Sequence, residues 1–64
     1  MLANLPHAQG AREYLTVIDG QLTVSSGDAV EQLSMGDTAR YAADVPHKIS
    51  ADGPARAFLV VHGA

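Results

Sequence analysis

Turn signals punctuate this chain every eight to ten residues, and no other feature limits its fold so tightly. Asp19-Gly20, Gly27-Asp28, Met35-Gly36-Asp37 and Asp52-Gly53-Pro54 each pair a residue that accepts positive φ with one that favours a bend. The segments between them are strand-sized, and none carries a capped 3.6-residue apolar period, so no helix is predicted. Strands are expected over residues 12–18, 21–25, 29–33, 38–42, 48–51 and 55–61. Asp19-Gly20 reads as a two-residue hairpin joining the first two. Pro46 lies in a loop because it cannot donate to a ladder. The pattern is that of an all-β meander or barrel.

Alternation assigns the faces. Glu13, Leu15 and Val17 share one side of the first strand, and Tyr14, Thr16 and Ile18 share the other. Leu22 and Val24 share a face on the second strand, as do His47 and Ile49 further on. If the aliphatic residues point inward, Glu13 and His47 point inward with them.

Composition bounds what such a fold can do. At 64 residues the chain is one domain, spanning 1–64 and near the lower size limit for a self-sufficient core. It has no cysteine, hence no disulfide and no thiolate metal site, so stability must come from apolar packing or a partner surface. A homodimer through sheet faces or edges is expected, because Tyr14 and Ile18 would otherwise face water. No apolar run approaches the roughly 18 residues of a membrane span. The first residues lack the basic and apolar regions of a secretion signal, so a cytoplasmic location is expected. The net charge is −3, and Arg12, Arg40, Lys48 and Arg56 are scattered, which argues against nucleic-acid contact by this segment.

The polar residues form two clusters, His7-Ala8-Gln9-Gly10-Ala11-Arg12-Glu13 leading to Gly20, and Gly36-Asp37 followed by Tyr41, Asp44 and Pro46-His47. Together they resemble the two motifs of the cupin superfamily. The likeness covers about residues 5–62, and it is closest to the cupin sensor domains that follow the DNA-binding half of helix-turn-helix regulators. Gln9 stands where a second histidine is usual, and Ala42-Ala43-Asp44 replaces the usual Pro-x-Gly. The resemblance implies a small cupin-type jelly-roll barrel or half-barrel of about six short antiparallel strands, truncated relative to a complete barrel.

It also implies a site. His7, Gln9, Glu13 and His47 would be the metal-binding set, and two imidazoles, a carboxylate and an amide oxygen suit Fe, Mn, Ni, Zn or Co. Tyr41 and Phe58, with Glu13, are the candidates for contact with a small-molecule ligand. Each residue also has a plainer reading. His7 and Gln9 read as loop residues, and Glu13 as a solvated strand start. His47 reads as a hydrogen-bonded core histidine, Tyr41 and Phe58 as packing, His62 as a solvated end. Asp37 reads as a turn residue whose carboxylate bonds nearby backbone N–H groups.

Two functions compete. One is a small-molecule-sensing cupin module, the effector-binding part of a transcriptional regulator, with a divalent-metal site in its barrel. The other is a metal-dependent isomerase, decarboxylase or dioxygenase acting on a small oxygenated substrate. The first is favoured, and no catalytic residue is assigned, because few acid or base groups remain beyond the candidate ligands.

Overall fold

Seven strands run antiparallel in two sheets in the computed structural model, which describes residues 2–4 and 9–63. They are β1 (Leu2–Asn4), β2 (Arg12–Asp19), β3 (Gln21–Ser26), β4 (Ala29–Ser34), β5 (Thr38–Ala42), β6 (His47–Ser50) and β7 (Arg56–His62). One sheet has the order β1-β6-β3-β4, the other β5-β2-β7. The six expected strands are all present within a residue or two, and β1 is a short addition. The described residues include no helix, and so none long and apolar enough to cross a membrane.

Alternation builds the interior as the sequence requires. Along β2, Glu13, Leu15 and Val17 are buried, while Arg12, Ile18 and Asp19 are exposed. Leu15 and Val17 from one sheet meet Leu22, Val24, Leu33 and Ile49 from the other, with Ala39 closing the layer. Each aliphatic side chain so buried contributes about 1.5–3 kcal/mol. Two sheets closing over this one layer leave little reserve in a chain of this size.

The turn at Asp19-Gly20 does not make the expected hairpin. β2 and β3 lie in different sheets, so Gly20 carries the chain across the sandwich instead of folding it back. The reason is tertiary. Gly20 has φ of 81°, and a Cβ there would come within 2.5 Å of the Pro54 carbonyl oxygen, so the β6–β7 loop is packed against this corner. Gly36 stands at another crossing between the sheets, from β4 to β5. Its N–H donates to the Val17 carbonyl at 2.8 Å, and the Asp37 carboxylate accepts the Ser34 N–H at 2.9 Å, the turn role expected of Asp37.

The true two-residue hairpin is Gly27-Asp28. It joins β3 and β4 in a register running from Gln21↔Ser34 to Ser26↔Ala29. Gly27 takes φ of 55°, the first-position requirement of a type II′ turn, whose twist suits antiparallel neighbours.

Candidate functional site

Glu13 and His47 are the two buried ionisable residues of the described interior, at 1% and 5% exposure. Their positions follow from the strands. Glu13 opens the inward row of β2 and stands directly opposite Tyr41 of β5. His47 opens the inward row of β6, opposite Ser26 of β3 and two residues before buried Ile49. The site is thus assembled from both sheets. Two bonds pin its rim: Ser26 Oγ–H to the Ala42 carbonyl at 2.7 Å, and Gly10 N–H to Asp44 Oδ2 at 2.8 Å.

The hydrogen bonds assign a hydrogen to one ring nitrogen of His47. Tyr41 donates its hydroxyl to Glu13 Oε1 at 2.5 Å. His47 Nε2 meets Glu13 Oε2 at 3.1 Å, and Nδ1 meets the Val45 carbonyl at 2.8 Å. A carbonyl only accepts, so Nδ1 carries a hydrogen. The Nε2–Oε2 contact then needs one hydrogen of its own: an imidazolium donating to a carboxylate, or a carboxyl donating to a neutral ring. Glu13 and His47 therefore share one proton. Burial, the hydrogen bond to Glu13 and the charge of Glu13 all push the Tyr41 hydroxyl well above the usual phenol range, so Tyr41 stays a donor. Its ring lies 6.1 Å from the His47 ring, tilted by 49°.

The remaining expected residues lie elsewhere. Gln9 is exposed in the turn before β2. Phe58 is 67% exposed and pairs with Thr16 on the outer face of its sheet, the wrong side of the strand to line the interior. His7 falls outside the described residues. The backbone carbonyl of Val45, which sets the His47 tautomer, carries no side-chain signal and could not be read from sequence.

Two concavities bear on access. One of about 80 Å³ is lined by Val24, Ser26, Ala29, Glu31, Ala39, Arg40 and Tyr41; it touches Tyr41 but neither Glu13 nor His47. Glu31 and Arg40 at its rim were not singled out by sequence. Their neighbours carry no motif there. A larger hollow of about 300 Å³, lined by Gln21, Thr23, Gln32, Ser50 and Asp52, lies on the outer face of the β3–β4–β6 sheet, away from Glu13 and His47.

Whether this pocket fits a metal can be asked of its distances. At metal–ligand lengths of about 2.0–2.2 Å, two ligands lie roughly 3.4 Å apart on a tetrahedral ion and roughly 3 Å apart at right angles on an octahedral one. The 3.1 Å between Nε2 and Oε2 matches the second spacing. The Nδ1–H bond to a carbonyl is the outer contact that orients metal-ligating histidines. The described residues supply these two donors but no group of three His, Cys, Asp or Glu side chains, so further ligands would have to come from elsewhere.

Comparison with known proteins identifies the fold family. A family model described as a cupin domain matches residues 3–62. The chain belongs to the cupin family. Among proteins similar to this cupin is the HTH-type transcriptional regulator SutR of Escherichia coli (strain K12), 43% identical over 42 residues, or 66% of this chain and 24% of the regulator. An HTH_3 family transcriptional regulator from Vibrio cholerae has a crystal structure that superposes with a TM-score of 0.82. It shares 28% identity over 94% of this cupin and 34% of that protein. This cupin thus spans about a quarter of the one relative and a third of the other.

Proposed function

We propose that this cupin is the effector-sensing module of a helix-turn-helix transcriptional regulator working in the cytoplasm, and that Glu13, Tyr41 and His47 are its sensing group. The observation that carries the reading is the buried contact between Glu13 and His47 in an otherwise aliphatic interior. A buried ionic pair is no more stabilising than well-packed apolar residues of the same volume, so its presence calls for a role beyond stability. The similarity to two transcriptional regulators supports the sensing context.

Size and chemistry narrow the effector. A cavity against Tyr41, though not against Glu13 or His47, holds the volume of about two or three waters and suits a polar molecule of few heavy atoms, while the donor pair itself suits a divalent cation. When bound, a divalent cation would supply the positive charge that the shared proton otherwise supplies. Glu13 and His47 would hold it, with the Val45 carbonyl fixing the ring and Tyr41 fixing the carboxylate. The read-out would pass through β5 and β6, the strands that carry Tyr41 and His47 from opposite sheets.

The test is metal analysis of the untagged chain, followed by calorimetric titration of the stripped protein with Mn, Fe, Co, Ni and Zn salts. A thermal-shift screen of small polar compounds runs beside it, and Glu13→Gln is carried throughout. Binding of an ion or compound that is lost in Glu13→Gln supports the assignment. Binding unaffected by the substitution, or no binding at all, overturns it.

A further inference from the structure

We propose that the hollow on the outer face of the β1-β6-β3-β4 sheet is a second binding site, for a neutral polyhydroxylated compound of monosaccharide size. It shares no residue with the Glu13–His47 pair, from which the sheet separates it. At about 300 Å³ it stands at the lower end of the range for small-molecule sites. That volume is the share of about ten waters, room for a ligand of roughly a dozen non-hydrogen atoms.

Strand register builds the floor. Thr23 of β3 pairs with Gln32 of β4 on one side and with Ser50 of β6 on the other. Leu22, Val24, Leu33 and Ile49 point inward, so their neighbours Thr23, Gln32 and Ser50 point outward. Three polar side chains therefore stand in one transverse row, about 4.8 Å from strand to strand. Gln21 extends the row along β3, two residues before Thr23 on the same face. The next row on this face, Val30–Ser25–Lys48, is of another kind, with an apolar and a charged end. The β6–β7 loop supplies the wall through Asp52 and Pro54. Gly20 seats that wall: the Pro54 carbonyl oxygen lies 2.5 Å from where a Cβ of residue 20 would stand, so the absent side chain lets the loop close on this end of the sheet.

The lining selects the ligand. Hydroxyls and carboxamides both donate and accept, as alcohol groups do, and Asp52 adds a carboxylate that accepts from hydroxyls. Gln21 reaches Ser34 only through a long contact of 3.5 Å. Among the described residues the side chains of Thr23, Gln32 and Ser50 have no hydrogen-bond partner, so their polar groups can turn to a ligand. The lining includes no Lys, Arg or His and does include Asp52, which disfavours an anion. It includes no aromatic ring, which disfavours a planar apolar ligand.

Titration of the isotope-labelled chain with glucose, myo-inositol and glycerol, followed by two-dimensional amide NMR, tests the assignment. Saturable shifts at Thr23, Gln32, Ser50 and Asp52 are expected with at least one of the two ring compounds, with a Kd in the millimolar range. Thr23→Val keeps the branched shape and removes the central hydroxyl, and should weaken binding about fivefold or more. Val30→Thr, in the neighbouring row, should change it less than about twofold. Gln32→Ala, at an exposed position of β4, replaces Thr23→Val with the same expectation if that variant fails to fold. Absence of any saturable shift up to about 100 millimolar polyol overturns the proposal. So do shifts centred on Ser26 and Tyr41, a stronger response to sodium phosphate than to any polyol, or binding indifferent to the substitution in the row.

Discussion

Removing the His47 ring should cost far more than removing the charge of Glu13, although both residues belong to one pair. In His47→Ala the buried Glu13 carboxyl loses its contact with the ring, and the Val45 carbonyl loses the ring N–H. Breaking a buried pair from one side costs about 3–5 kcal/mol. A single core in a domain this small supplies only about 3–5 kcal/mol in all, so His47→Ala should be largely unfolded at neutral pH. Glu13→Gln differs because the amide can keep both contacts. Its oxygen accepts from Tyr41, and its NH₂ donates to Nε2 of a His47 whose hydrogen sits on Nδ1. The shared proton disappears but no described bond is orphaned, so the cost should stay near 1 kcal/mol. Urea unfolding followed by far-UV circular dichroism, at one fixed protein concentration, measures both. Equal destabilisation of the two variants would refute the proton-sharing argument. So would a His47→Ala chain within about 1 kcal/mol of wild type.

Three further outcomes follow from the structure. Gly20→Ala should destabilise by more than about 2 kcal/mol, adding a clash with the Pro54 carbonyl to the strain of positive φ. Gly36→Ala, with φ of 91° but open space around it, should cost only about 1 kcal/mol, and thermal melts of the two variants compare them directly. The Tyr41 hydroxyl should resist ionisation beyond the ordinary phenol range near 10, as read by ultraviolet titration against Tyr41→Phe. Because the folded value is raised, the stability it contributes is present below about pH 10 and is lost as pH rises above it. Asp37→Ala should cost about 1 kcal/mol in the same melts by removing the acceptor for the Ser34 N–H; no change would assign that turn to Gly36 alone.

Local chemistry settled much of this protein before any coordinates. Period-two alternation put Glu13 with Leu15 and Val17, and His47 with Ile49, on inward faces, because a strand's geometry leaves a side chain only two directions. Strand bounds were equally legible, since glycine and proline act on their own neighbours. The partners of each strand were not. Asp19-Gly20 has the chemistry of a hairpin, yet the chain crosses to the other sheet there, because packing against the Pro54 loop decides which way a glycine corner turns. Phe58, expected from sequence as a ligand contact, was not placed by alternation alone; only its pairing with Thr16 shows it on the outer face. At the site, sequence supplied the residue types, but the proton shared by Glu13 and His47 depends on the Val45 carbonyl. A backbone atom has no sequence signature even two residues from the ring it meets at 2.8 Å, and only tertiary structure brings Glu13, 34 residues away, to the other ring nitrogen.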